Sequence, residues 1–170
     1  MTKSKIFFFI SLILVQGTGQ KKYSLENHAI DLTVDSNWEY QKVSDDTYAF
    51  KFKCDKDVAF CKNIVIKIIK NTENATVDQI TQALIDYTSK KFEQFKVVAV
   101  KDGTINNRQF RVIDYKCREQ NTNLGSTTLV TLRNKEIISI YFTALNQPAK
   151  NYVNERKLLF EVLKSLEIKG

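Results

Sequence analysis

Between residues 96 and 143 the chain reads as four extended segments, 96–105, 109–117, 126–132 and 136–143, separated by short polar breaks. Asn106-Asn107 and Asn134-Lys135 stand at two of the breaks. Asn tolerates the positive φ that a two-residue hairpin turn demands. Strands joined this tightly must pair antiparallel, because a parallel return needs a crossover of about a dozen residues or more. The third break, 119–123, reads as a polar loop, and Asp102-Gly103 as a bulge.

The rest of the chain supplies elements to pack on this meander. Residues 23–25 and 29–34 read as short strands around a turn at Asn27-His28, and Asp35-Ser36-Asn37 as a turn into Trp38. Residues 48–54 alternate with period two, and 63–69 are β-branched and apolar. Thr76 and Gln79 have capping-box spacing, and Val77, Ile80, Leu84 and Tyr87 follow at helical intervals. Pro148 opens a second helix, 149–163, with Tyr152, Val153, Leu159, Phe160 and Leu163 as its apolar stripe. Each helix must bury its stripe on a sheet face. Ile64-Val65-Ile66 is apolar on both strand faces, which calls for a sheet covered at least partly on both sides. The expectation is an α+β fold, a central, mainly antiparallel sheet flanked by two helices as an α/β/α sandwich.

The N-terminus has a different character. Lys3 and Lys5 precede an apolar run over residues 6–15, broken only by Ser11, and Gly17 and Gly19 follow at the −3 and −1 spacing of a cleavage site. This is the layout of a secretory signal peptide. The run is half the roughly 20 residues that span a bilayer. Residues 1–19 are therefore expected to be removed near Gly19, leaving 20–170 as one domain with no transmembrane span, periplasmic or secreted. Losing Lys3 and Lys5 lowers the formal net charge from +7 to +5.

The strand-turn-Trp run (residues 29–38), the strand Arg111-Val-Ile-Asp-Tyr115, and the closing helix running into Leu163-Lys-Ser-Leu-Glu-Ile168 together resemble the PsbP-like family. The family includes the extrinsic oxygen-evolving protein of photosystem II, a Ran-binding nuclear import factor and many exported bacterial proteins of unknown role. Where it often carries Pro and Gly before the Trp, this chain has Asp35-Ser36-Asn37. The resemblance implies the same sandwich and a binding or adaptor role, and it carries over no catalytic residue.

Cys54 and Cys61 flank a six-residue segment, and Cys117 stands apart. In an oxidising compartment the first two can close a hairpin mouth, a loop worth about 2.5 kcal/mol in the chain-entropy model. The other reading is three buried thiols. Placing Cys54 opposite Cys61 sets Phe52 against Asn63 and Tyr48 against Lys67, a mismatch of faces that a bulge would remove. No Cys-x-x-Cys occurs, and Lys116 and Arg118 point away from the Cys117 face.

No catalytic, cofactor or metal signature is present. The lone His28 reads as an exposed turn residue, and Gly103 and Gly125 as bulge or turn positions. Asp45-Asp46 and Asp55 with Asp57 read as solvated turn carboxylates lacking the spacing of a calcium loop. Arg156 falls inside the apolar stripe of the last helix, where a guanidinium must snorkel out or find a partner. Asp114 shares a strand face with Phe110 and Val112 and is the candidate partner, in a structural ion pair.

The lysines are interleaved with acids, and the chain has 26 Lys and Arg against 19 Asp and Glu, so no concentrated face for nucleic acid is expected. The reading is an exported, non-enzymatic binding or accessory protein acting through protein contacts on a sheet rim or loops, with a protein or envelope component as partner. Two alternatives stand beside it: a hydrolase whose site is assembled only in the fold, and a charge-driven binder of the envelope surface.

Overall fold

The computed structural model describes residues 19–25, 28–147 and 152–170. The segment expected to be a signal peptide, Asn27 and Pro148 lie outside them, apart from Gly19 at its expected end. Among the described residues, ten strands and two helices run in the order β1 (Lys21–Leu25), β2 (Ile30–Val34), β3 (Trp38–Ser44), β4 (Thr47–Phe52), β5 (Asn63–Lys70), α1 (Val77–Lys91), β6 (Glu93–Ile105), β7 (Arg108–Glu119), β8 (Thr122–Arg133), β9 (Glu136–Leu145), α2 (Tyr152–Leu163) and β10 (Glu167–Ile168).

The strands form two sheets, both antiparallel throughout. The larger has seven strands in the order β3-β4-β5-β9-β8-β7-β6, and the smaller is β1-β2-β10. The Asn-led turns set the register. Asn106 and Asn107 adopt φ of 48° and 64°, and Asn134 adopts 53°. Residues 119–123 are not a loop. Gln120 and Asn121 make a third tight turn, with φ of 45° and 65°, and Glu119 pairs with Thr122. Their polarity reflects an exposed strand end rather than a break in the ladder.

The two faces of the large sheet differ in width. One is mainly apolar from β3 to β7, carrying Trp38, Phe50, Ile66, Ile140, Leu129 and Val112. It is covered by α2 and by the small sheet, where Leu25, Ile30, Leu32 and Val34 turn inward and Tyr23 packs on Tyr40 and Phe50. The other face is apolar only toward β7 and β8, at Ile113, Tyr115, Cys117, Leu124 and Val130. There α1 covers it, while Glu39, Gln41, Lys51 and Lys67 keep the β3–β5 end in water.

Helix α1 starts as its sequence directs: Thr76 Oγ1 accepts from Gln79 N, and Gln79 Oε1 accepts from Thr76 N. Its buried line runs through Ile80, Thr81, Leu84 and Ile85, so Tyr87 is left 67% exposed. On α2, Val162 takes the inward place expected of Val153, which is 61% exposed. In both cases the helix is rolled by part of a turn, because its sheet contact decides which of two neighbouring stripes faces in.

Bulges also fall elsewhere than expected. Asp102 and Gly103 pair regularly with Arg111 and Phe110, and the extra residues of β6 lie between Glu93 and Lys96 and at Val98. Val43 is the extra residue in β3. Since β3 and β6 are the two edges of the sheet, a bulge at each twists an open ladder away from foreign strands.

Gly125 is neither a bulge nor a turn. It lies inside β8 between Lys116 and Ala144, and the Tyr152 ring rests where its Cβ would be. Overpacking at such a contact costs about 1–3 kcal/mol. Gly125→Ala is therefore expected to lower the unfolding free energy by about 1–3 kcal/mol, read as a lower urea midpoint; an unchanged midpoint would contradict the packing.

Candidate functional site

Three places gather the chemistry-bearing residues. The first lies between α2 and the large sheet. Strand parity puts Asp114 on the α2 side of β7, and the helix carries Arg156 above it. Arg156 Nε donates to Asp114 Oδ1 at 2.8 Å and to Thr127 Oγ1 at 3.1 Å. Thr127 in turn donates to Asp114 at 2.6 Å, which leaves the Tyr152 hydroxyl to donate to Thr127 at 2.7 Å. The guanidinium also covers the Phe160 ring at 4.7 Å. Burial pushes the Tyr152 phenol far up, opposed in part by Thr127, so it stays a neutral donor. Asp114 and Arg156 pair with each other through Nε, and Arg156 Nη2 is buried without a hydrogen-bond partner. The cluster is a clamp that holds the helix to the sheet.

The second place is the β4–β5 connection. Cys54 and Cys61 meet in a disulfide with Cα atoms 5.9 Å apart. The strands below it pair Phe50 with Ile64 and Tyr48 with Ile66, so the two cysteines are not directly opposite each other. The one-residue offset is taken up in the loop, and apolar faces stay matched. Val58 and Phe60 of that loop pack on the α1-side core. Lys62 bridges to Glu155 at 2.8 Å and covers Phe52. The groove beside it holds about 240 Å³. Cys117 is free and buried, and its thiol is pushed up to about 11, chiefly by that burial and then by Glu119. A thiol so protonated is a poor nucleophile.

The third place is a cleft of about 620 Å³ where the small sheet meets the large one. It is lined by the β1–β2 turn (His28, Ala29), the end of β5 (Lys70 to Thr72), the β8–β9 turn (Arg133 to Glu136) and Lys169. Arg133 is buried and ties these segments together. It is paired with Glu136 and donates to Ala29 O at 3.5 Å and Lys169 O at 3.0 Å. His28 is buried as well, contrary to the exposed turn expected of it. Its Nε2 donates to Asp45 O at 3.0 Å, and Nδ1 lies 3.6 Å from Glu136 Oε1. Burial opposes ionisation of Glu136, but Arg133 and His28 outweigh it and hold the carboxyl below its usual value. Asn71 N bonds to Lys135 O at 2.7 Å, fixing the rim.

Lys169 is held from the small sheet. Asp31, on the central strand of that sheet, accepts from Lys169 at 2.8 Å and lies 2.9 Å from Lys22. Hydrogen bonds from Lys169, then Ser24 and Lys22, keep the Asp31 carboxyl well below the carboxylate range.

Sequence reasoning missed this cleft. One local signal was available, since Arg133 and Glu136 flank the Asn134-Lys135 turn and are cross-strand partners of opposite charge. Among the described residues no group of three or more His, Cys, Asp or Glu is placed to hold a metal, and no helix is long and apolar enough to cross a membrane.

The chain matches no protein-family model, and no curated protein matches it. Solved structures do. The cyanobacterial PsbP of Synechocystis aligns over 91% of this chain and 95% of its own at 13% identity and a TM-score of 0.65. The fold is PsbP-like. The same PsbP-like arrangement occurs in the Ran-binding protein Mog1p of Saccharomyces cerevisiae, with 8% identity, a TM-score of 0.61, and 89% and 96% of the two chains covered. It occurs again in LpqN of Mycobacterium tuberculosis, a protein involved in cell envelope biogenesis, with 13% identity, a TM-score of 0.58 and 86% of each chain covered.

Two outcomes follow from this geometry. A double-mutant cycle on Asp114→Ala and Arg156→Ala should give a coupling energy of about 0.5–3 kcal/mol in urea unfolding; strictly additive losses would contradict the clamp. The depressed Asp31 carboxyl stabilises the fold above the unfolded value of about 3.9, and that contribution drains away as pH falls below it. Asp31→Asn should therefore be less stable than the parent at pH 7, with the gap narrowing steadily below pH 4. A gap independent of pH would contradict the assignment.

Proposed function

We propose that the chain is an exported accessory protein that works by binding another protein through the cleft between its two sheets. The observation that carries this reading is the division of the polar groups. The Asp114–Arg156 cluster is packed beneath α2 with its two charges paired to each other, whereas the cleft presents charged groups from three chain segments on a concave surface. A protein with the same fold is Ran-binding, and another is involved in cell envelope biogenesis. Lys3, Lys5, the apolar run and Gly19 supply the export signal, and residues 20–170 form one domain. In an oxidising compartment the Cys54–Cys61 bridge persists and Cys117 stays a thiol.

One experiment on the full chain tests the reading. A photo-crosslinkable residue is placed at Thr72, exposed at the cleft rim, and in a second variant at Gln82, exposed on α1. The exported material is expected to begin at residue 20 and to contain one free thiol when denatured without reductant. Thr72 should give a protein adduct of one discrete mass, and Gln82 none. Material beginning at Met1, three free thiols, or identical adduct patterns at the two positions would overturn the proposal.

A further inference from the structure

We infer that the cleft between the two sheets docks an acidic segment of a partner protein, a short run of Asp or Glu side chains. This deepens the protein-binding reading and rests on it. The first argument is charge. The lining carries four cations, Lys70, Arg133, Lys135 and Lys169, against one carboxylate, Glu136. That carboxylate and Arg133 offset each other, which leaves Lys70, Lys135 and Lys169 to meet an incoming anion. Lys70 and Lys135 are both exposed at the rim, and Lys169 keeps a 61% exposed side chain although one of its contacts is Asp31. Their ammonium groups offer several donors each toward a carboxylate.

The second argument is pre-organisation. Arg133 bonds to Ala29 O and Lys169 O, Asn71 N bonds to Lys135 O, and the Asn71 side chain closes on Ala75 through both of its polar atoms. The walls come from four segments already locked to one another, so little ordering remains to oppose binding. The third argument is shape. The basic groups line a concavity of about 620 Å³, room for several side chains. A lipid surface is flat and meets a broad basic face. On β3 and β4, outside the cleft, lysines are interleaved with acids: Lys51 pairs across from Glu39, and Lys42 lies 3.1 Å from Asp45.

The test uses the full mature chain and three probes: a fluorescent ten-residue Glu-rich peptide, its Gln counterpart, and vesicles of anionic phospholipid. Anisotropy at low ionic strength should show binding of the Glu peptide, at least about tenfold weaker binding of the Gln peptide, and loss of affinity as salt rises. Lys70→Glu with Lys135→Glu should weaken the Glu peptide at least about tenfold without lowering Tm. Lys51→Glu with Lys96→Glu, both exposed and away from the cleft, should leave it unchanged. Equal losses in the two charge-reversal pairs would overturn the inference. So would vesicle binding without peptide binding. If the Thr72 adduct forms but the Glu peptide does not bind, the acidic docking segment is wrong while the protein-binding reading survives. If neither is seen, both fail.

Discussion

The structure depends on covering one sheet face that is mainly apolar from β3 to β7. Seven strands at about 4.8 Å spacing extend for about 29 Å. The twelve residues of α2 form a rod about 18 Å long and about 10 Å across, which cannot shield that face alone. The remainder, toward β3 and β4, is covered by the small sheet β1-β2-β10. That sheet draws on both ends of the described chain, so the last strand of the sequence completes the cover begun by the first. The opposite face has no such demand. Its β3–β5 end carries Glu39, Gln41, Lys51 and Lys67, and one helix suffices for the rest.

The seam between the two sheets is also what creates the cleft. Ala29 and Lys169 come from the small sheet or its margins, and Lys70, Arg133 and Glu136 from the large one. Arg133 spans the seam by donating to backbone carbonyls on the far side while Glu136 balances its charge. Arg156 does the equivalent task under α2, with Asp114 and Thr127. A buried guanidinium is tolerable only with such partners. The two differ in what lies next to them: packed side chains around Arg156, and an open concavity with further lysines around Arg133.

Much of this was legible where the governing physics is local. The Asn106-Asn107 turn needs positive φ, the Thr76–Gln79 box is a matter of three-residue spacing, and strand parity assigns Asp114 to the same face as Phe110 and Val112. The misreadings share a different cause. Tyr87 and Val153 sit at the margins of helical stripes, where the roll of the helix on its sheet decides exposure. Gly125 looks like a turn residue until Tyr152, 27 positions later, is found on top of it. His28 looks like a solvated turn until the β3–β4 turn and β9 close around it.

The sequence by itself determined the antiparallel meander, the two helices, the cap of α1 and the absence of any local catalytic motif, because turns, caps and periodicity are set by residues within a few positions of one another. Only the tertiary structure decided that β1, β2 and β10 form a separate sheet, that His28 and Arg133 are buried, and that Lys70, Lys135 and Lys169 converge. Those facts depend on which distant surfaces must exclude water together, and the spacing of residues along the chain does not encode the width of a sheet.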